Sequence, residues 1–352
     1  MRFPLLLAAL TLLSCDNEPT MAVAASEDAR TTREATTTGL DPEQVDQLIE
    51  RAASLSTLEG LLVLRDGETL IEERFNGGPP LDAAVNIKSA SKSVISALVG
   101  IAIDRGILDG TDQKVLSLLA DDAPSDPDPR LRELDIGHLL SMQAGLERTS
   151  GDNYGRWVSS GDWVDYALSR PFVADPGGRM LYSTGSTHLL SAMLTEASGR
   201  STWELARDWL GMPLDIAIPQ WERDQQGIYL GGNQMSMSPR GMARFGELYR
   251  LGGTISGNEI VPSDWIEASW TPRTRSPWSG EQYGYGWFLT NLAGHPVRYA
   301  WGYGGQMIFI VPDLALTVVM TSDSNVARGS DHIDDLRALL AEQIIPAAEK
   351  GA

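Results

Sequence analysis

At 352 residues, 42% of them hydrophobic, the chain is too long for a disulfide-stapled mini-protein and too apolar for a disordered one, and it has room for one large domain or two ordinary ones. Lys and Arg number 28 against 47 Asp and Glu, and the resulting net charge of −19 repels phosphate backbones, which argues against nucleic acid as a partner. A single cysteine excludes an internal disulfide and a thiolate-built zinc site, and the four histidines are scattered without metal-binding spacing, so no cofactor is expected.

In chain order, the first element is Met1 to Cys15, MRFPLLLAALTLLSC. Arg2 gives a positive start, and Phe3 to Leu13 is an apolar run of 11 residues, about half of a membrane span, so residues 1–14 read as a signal peptide. Leu12-Leu13-Ser14-Cys15 resembles the lipobox of bacterial lipoproteins. That resemblance implies cleavage before Cys15, diacylation of its thiol, and a lipid-anchored, periplasm-facing protein of the bacterial cell envelope. Residues 15–38 are small, polar and threonine-rich and read as a flexible tether.

The remaining domain is expected over 39–350. Val45, Leu48, Ile49 and Ala52 mark one face of a helix over 41–55. Two strand-like runs, GLLVLR and ETLIEERF, flank Asp66-Gly67 and predict a β-hairpin. Residues 90–105 form a strongly apolar helix. The stretch 109–280 is mainly helical with many loops, and strands return in YGYGWFLTN, RYAWGYGGQMIFIV and LALTVVMTS before a last helix over about 331–348. Strands at both ends with helices between predict an α/β (α+β) fold: one sheet from about 39–108 and 281–350, with a helical subdomain from about 109–280 inserted.

Three features carry chemistry. Ser89-Ala90-Ser91-Lys92 opens the apolar helix, and Ser89 and Lys92, three apart, share a helix face. A serine hydroxyl becomes a nucleophile when a neighbouring base takes its proton, and lysine is that base only if burial or a nearby cation, such as Lys88, lowers its pKa. The helix start also leaves the Ser89 N–H free for an oxyanion. Alone, the motif fits a capping serine with a solvated lysine better. The second feature is Tyr182-Ser183-Thr184 ahead of a packed helix, where a phenol can project into a cleft or simply bond to backbone. The third is Trp301-Gly302-Tyr303-Gly304-Gly305-Gln306, whose glycines permit either close ligand approach or a bulge. Neither a G-x-S-x-G elbow nor a phosphate-binding glycine loop is present.

S-x-x-K, then Y-x-[NST] about ninety residues on, then a glycine-rich strand near the end, is an order that resembles the serine β-lactamase-related family: class C β-lactamases, D-alanyl-D-alanine carboxypeptidases, family VIII esterases and 6-aminohexanoate-dimer hydrolase. The likeness spans about 40–345 and includes HLLSMQAGL, PGGRMLYSTGSTHLL, MSPRGMARFGELYRLGG and WGYGGQMIFIVPDLALTVV. It implies a β-lactamase/transpeptidase-like fold, Ser89 as acylated nucleophile, Lys92 as its base and Tyr182 as proton relay. Thr184 falls where relatives often carry asparagine or serine and contact substrate. Aligned on Gly302, the third motif implies an oxyanion donor in the Tyr303 N–H, but Ala300 and Trp301 replace the residues that usually bring a carboxylate-binding cation. The expected substrates are therefore small neutral esters, amides or peptide-like molecules. A β-lactamase or D-Ala-D-Ala carboxypeptidase is the alternative, and an inactive peptidoglycan-fragment or partner-binding module the second. Tyr154, Trp157, Trp163 and Trp301 are candidates for an apolar acyl pocket, the first three equally for core.

Overall fold

A computed structural model of the chain describes residues 39–325 and 332–351. The expected signal peptide, Cys15 and the tether lie outside the described residues. The centre of the fold is an eight-stranded antiparallel sheet. In chain order its strands are β1 (Leu58–Arg65), β2 (Glu68–Arg74), β3 (Thr274–Arg275), β4 (Gln282–Tyr283), β5 (Phe288–Leu292), β6 (His295–Gly302), β7 (Gln306–Val311) and β8 (Leu316–Ser322). In space they run β2-β1-β8-β7-β6-β5-β4-β3, so the amino-terminal hairpin pairs with the last strand. Leu61 faces Met320 and Val63 faces Val318 across that seam. The hairpin turns at Asp66 and Gly67, both at positive φ (50° and 83°), the conformation that matches the right-handed twist of two antiparallel strands.

Successive side chains of a strand point to opposite faces, and here both faces are covered. On β7, Ile308 and Ile310 enter one core, and Met307, Phe309 and Val311 enter the other. Continuous apolar runs follow, where a one-faced sheet would show alternation. The first core holds α2 (Ser91–Asp104) and α3 (Thr184–Ser198). The second holds α1 (Pro42–Ser54) and the carboxy-terminal helices. Helix α4 (Pro239–Arg250) contributes Met242, Phe245 and Tyr249 to the first core and packs on β8, so this segment lies with the sheet, as does β3.

Two expected helices differ in detail. The last runs as α5 (His332–Leu339), then a widened turn over Leu340–Ile344, then Ile345–Lys350. Pro346 has no N–H and its ring crowds the carbonyl four residues earlier; the wide turn relieves that conflict. The apolar helix begins at Ser91, and Ser89 sits in the preceding 3-10 turn, Lys88–Ala90. From Ser91 to Ala102 every residue of α2 is buried, which makes this helix a central pillar.

Candidate active site

Lys88, immediately before Ser89, adopts φ +51°, a left-handed conformation that costs a non-glycine residue energy and persists only when its surroundings fix it. Two bonds do so. The Lys88 N–H donates to Asn86 Oδ1 at 2.9 Å, and Ser91 Oγ donates to the Lys88 carbonyl at 2.6 Å. Asn86 is held in turn: its amide donates to Gln234 Oε1 at 2.6 Å, and its backbone pairs with Ser236. On the other side a Cβ at Gly302 would stand 2.3 Å from the Ile87 carbonyl, so only glycine lets β6 press against the chain entering the Ser89 turn.

Lys92 lies one helical turn beyond Ser89 and is buried. Its Nζ is 3.0 Å from Ser89 Oγ, 3.2 Å from Thr184 Oγ1 and 2.7 Å from the Gly232 carbonyl. Burial pushes its pKa down to about 7. A neutral amine has two N–H donors and one lone pair. The carbonyl of Gly232 only accepts, and Thr184 Oγ1 can accept the second N–H while it shares a hydrogen bond with Ser150 Oγ, 3.0 Å away, in which either hydroxyl can donate. The lone pair is then left for the Ser89 hydroxyl. Burial accounts for the lowered pKa, and the anticipated push from Lys88 is not among its causes; what Lys88 supplies is backbone geometry.

Tyr182 approaches from the other core. Its ring is flanked by Phe288 (6.1 Å), Tyr283 (6.1 Å), Trp278 (6.3 Å) and Trp301 (6.4 Å), and Lys92 Nζ is 5.0 Å from its centroid. Burial raises the phenol well above its ordinary pKa, and a hydrogen bond with Ser89 works the opposite way. The residues after Tyr182 start α3, whose first N–H groups are capped from a loop and not by its own side chains. Thr184 N donates to Ser150 Oγ at 2.8 Å and Gly185 N to Thr149 Oγ1 at 2.7 Å. That loop is thereby welded to the Tyr182–Gly185 turn.

The Gly232 carbonyl has its own support. Gly231 N donates to His188 Nδ1 at 3.4 Å, so Nε2 carries the proton and meets Asp224 Oδ2 at 3.2 Å, both side chains fully buried.

Ser89, Lys92, Tyr182 and Thr184 are thus brought together. Thr184 points its hydroxyl at Lys92 and Ser150. Gly302 ends β6 beside Ile87, and Tyr303 opens the β6–β7 turn, 39% exposed. Ala300 is buried and Trp301 stands beside Tyr182, so neither position 300 nor position 301 of β6 brings a cation. Trp157 and Trp163 do not line the site: they pack around His188 in the helical core, their indole N–H groups bonded to the Trp163 and Val158 carbonyls. Tyr154 sits one layer out, its hydroxyl accepting from Asn233 at 2.9 Å. Asn86, Ser150, Gly232 and Trp278 were not singled out by the sequence; Asn86 lies in a two-residue strand and the others on loops, where no periodic pattern announces them.

The β-lactamase family model matches residues 44–343. A 6-aminohexanoate-dimer hydrolase from Paenarthrobacter ureafaciens is 26% identical over 237 residues, covering 62% of this chain; the match spans 59% of that enzyme's length. Among solved structures, the octameric penicillin-binding protein homologue of Pyrococcus abyssi superposes with a TM-score of 0.68 at 19% identity, over 88% of this chain and 78% of its own. EstCE1, a hydrolase with promiscuous acyltransferase activity, gives 0.70 at 17% identity, over 84% and 99%. The shared fold is the β-lactamase/transpeptidase-like one, and with a family match that runs from α1 to the carboxy-terminal helices, the chain belongs to the β-lactamase family.

Proposed function

We propose that this protein is a serine hydrolase that cleaves an ester or linear amide through an acyl-enzyme on Ser89. The observation that carries the reading is a lysine brought close to neutrality, its Nζ 3.0 Å from a serine hydroxyl. Lys92 takes the Ser89 proton as Oγ attacks the carbonyl carbon. Among the described residues the Ser89 N–H has no protein acceptor, which leaves it for the developing oxyanion, with the Tyr303 N–H as second donor. As the tetrahedral adduct collapses, the bond to the leaving group breaks and a proton passes through Tyr182 to the departing oxygen or nitrogen. Its raised pKa keeps the phenol protonated and able to donate. Water then enters, gives a proton back along the same relay, and releases the acid and Ser89. Thr184, through Ser150, fixes the orientation of the amine.

The missing cation at positions 300 and 301 supports neutral esters and linear amides over β-lactams. The likeness to a 6-aminohexanoate-dimer hydrolase points the same way. The test is to compare 4-nitrophenyl butyrate with nitrocefin. We expect the larger kcat/KM for the ester and loss of both activities in Ser89→Ala. A larger value for nitrocefin would establish a β-lactamase instead, and no turnover or adduct with any acyl donor would favour a binding module. Delivery to the envelope through a lipid on Cys15 belongs to the same proposal: Cys15→Ser should abolish incorporation of radiolabelled palmitate, and persistent labelling would contradict it.

A further inference from the structure

We propose that His188, held by Asp224, is a positioning residue for the general base: through the Gly231–Gly232 backbone it sets the direction of the carbonyl that aims Lys92 at Ser89. The inference rests on the serine-hydrolase reading and extends it to a buried pair that touches neither substrate nor nucleophile.

Four observations carry it. First, the carbonyl that receives Lys92 lies in a segment with little conformational preference of its own. Gly231 and Gly232 are adjacent, Gly232 at φ +80°, and successive glycines leave the direction of a carbonyl to be set from outside. Second, α3 sets it. A Cβ at Gly231 would stand 2.2 Å from the Thr187 carbonyl oxygen and 2.7 Å from His188 Cα, so this backbone lies directly on the helix. There the Gly231 N–H donates to His188 Nδ1 at 3.4 Å. Thr184, one turn earlier on the same helix, is 3.2 Å from Lys92 Nζ. Both bonds that orient the amine towards Ser89 are thus referred to one helix, Thr184 directly and Gly232 by way of His188.

Third, the pair is costly for a core. Both side chains are fully buried, and the rings of Trp157 and Trp163 close on the imidazole at 5.6 and 5.5 Å. A carboxylate taken from water destabilises a fold unless it is well bonded, and apolar side chains pack such a space at lower cost. What the pair supplies and an apolar residue cannot is a fixed acceptor for a backbone N–H. Fourth, the hydrogen bonds admit one tautomer. Asp224 Oδ1 accepts the Ile228 N–H at 2.8 Å, and Oδ2 accepts the His188 Nε2 proton at 3.2 Å, which leaves the Nδ1 lone pair for Gly231. An amide at position 224 would reverse this. With its oxygen on the Ile228 N–H, its NH₂ faces Nε2, the ring proton moves to Nδ1, and two donors meet at Gly231.

The test uses Asp224→Asn, His188→Gln and His188→Asn, with turnover of 4-nitrophenyl butyrate read at alkaline pH, where Lys92 is neutral, and thermal unfolding alongside. Glutamine reaches Asp224 but offers no acceptor at the Nδ1 position; asparagine offers that acceptor but does not reach Asp224. We expect kcat to fall about tenfold or more in Asp224→Asn and His188→Gln, as misplacement of a reacting group does. In His188→Asn most of the wild-type rate should return, although that variant has lost the Asp224 bond and is no more stable than His188→Gln. Long-range ¹H–¹⁵N spectra of the four histidines should show His188 as Nε2–H in wild type and Nδ1–H in Asp224→Asn. A kcat within about twofold of wild type in folded Asp224→Asn and His188→Gln, losses that follow stability alone in all three variants, or an Nδ1–H tautomer in wild type would overturn the proposal. Each leaves the hydrolase reading intact, because wild type would still turn over the ester and Ser89→Ala would not. A wild-type protein inert toward the ester and unlabelled by a fluorophosphonate would overturn both.

Discussion

The Gly232 carbonyl receives Lys92 Nζ at 2.7 Å, while the Gly232 Cα leaves no room for a side chain: an added Cβ would stand 2.8 Å from Lys92 Cγ and 2.9 Å from Thr187 Cβ. The residue that fixes the direction of the amine also limits where its alkyl stem can go. Gly232→Ala should therefore displace Lys92. With φ at +80° it also adds backbone strain. We expect kcat to fall about tenfold to a hundredfold, as misplacement of a reacting group by an ångström does. Gly227→Ala separates the two effects. Gly227 has a similar φ, +91°, with nothing near its Cβ, so it should lose stability and keep its turnover. Steady-state kinetics beside thermal unfolding of both variants provides the check.

Neighbouring serines should differ sharply. Removing a nucleophile costs on the order of 10⁴-fold or more in kcat, and we expect this of Ser89→Ala. Ser91 donates to the Lys88 carbonyl and Ser93 to that of Gly286, so both hydroxyls are structural. Ser91→Ala and Ser93→Ala should each cost about 1 kcal/mol of stability, the net worth of one hydrogen bond, and keep measurable turnover. Ester hydrolysis by the three folded variants decides; a dead Ser91→Ala beside an active Ser89→Ala would displace the assignment.

A buried lysine burdens the fold, and the sign of the burden fixes its pH dependence. The pKa of Lys92 falls from 10.5 in the unfolded chain to about 7 in the native state. Below about 7 both states hold the proton and the native state bears the full penalty. Between about 7 and 10.5 the unfolded state binds more protons, so native stability from this group rises with pH. Above that range neither state is charged and the penalty is gone. The shift corresponds to a cost on the order of several kcal/mol at low pH. Lys92→Met keeps the shape without the charge. The stability difference between Lys92→Met and wild type should therefore be largest near pH 6 and shrink towards pH 10, as read by denaturant unfolding at several pH values. A difference that does not vary with pH would contradict a depressed pKa.

Much of the architecture is legible in the chain because local rules act there. Asp66-Gly67 between apolar runs specifies a hairpin, and the run Val94 to Ala102, apolar but for Ser96 and Gly100, specifies a helix buried on all sides. The spacing of Ser89 and Lys92 places both at one helical turn, and the structure sets them 3.0 Å apart. What local rules do not reach is what topology assembles. Ser150 meets Thr184, Gly232 meets Lys92 and Trp278 meets Tyr182, each from a separate loop, and no spacing in the sequence connects them. Trp157 and Trp163 show the converse. A tryptophan buries well in a core once its N–H finds an acceptor, and two backbone carbonyls supply that here, so neither ring is left for substrate. The left-handed Lys88 was likewise unreadable, because Asn86, not a glycine, makes it possible.

Activation of Ser89 by a neutral Lys92 can be read from the rate at which a fluorophosphonate labels the protein, followed from pH 5 to 9 by peptide mass spectrometry in wild type and Lys92→Arg. We expect the adduct on Ser89, a rate that rises with pH through an apparent pKa near 7, far below that of free lysine, and almost no labelling in Lys92→Arg, because a guanidinium does not give up its proton. That apparent value would belong to the coupled Lys92–Tyr182 pair. An adduct on another residue, a rate independent of pH over this range, or an arginine variant labelled at more than about a tenth of the wild-type rate would contradict the account.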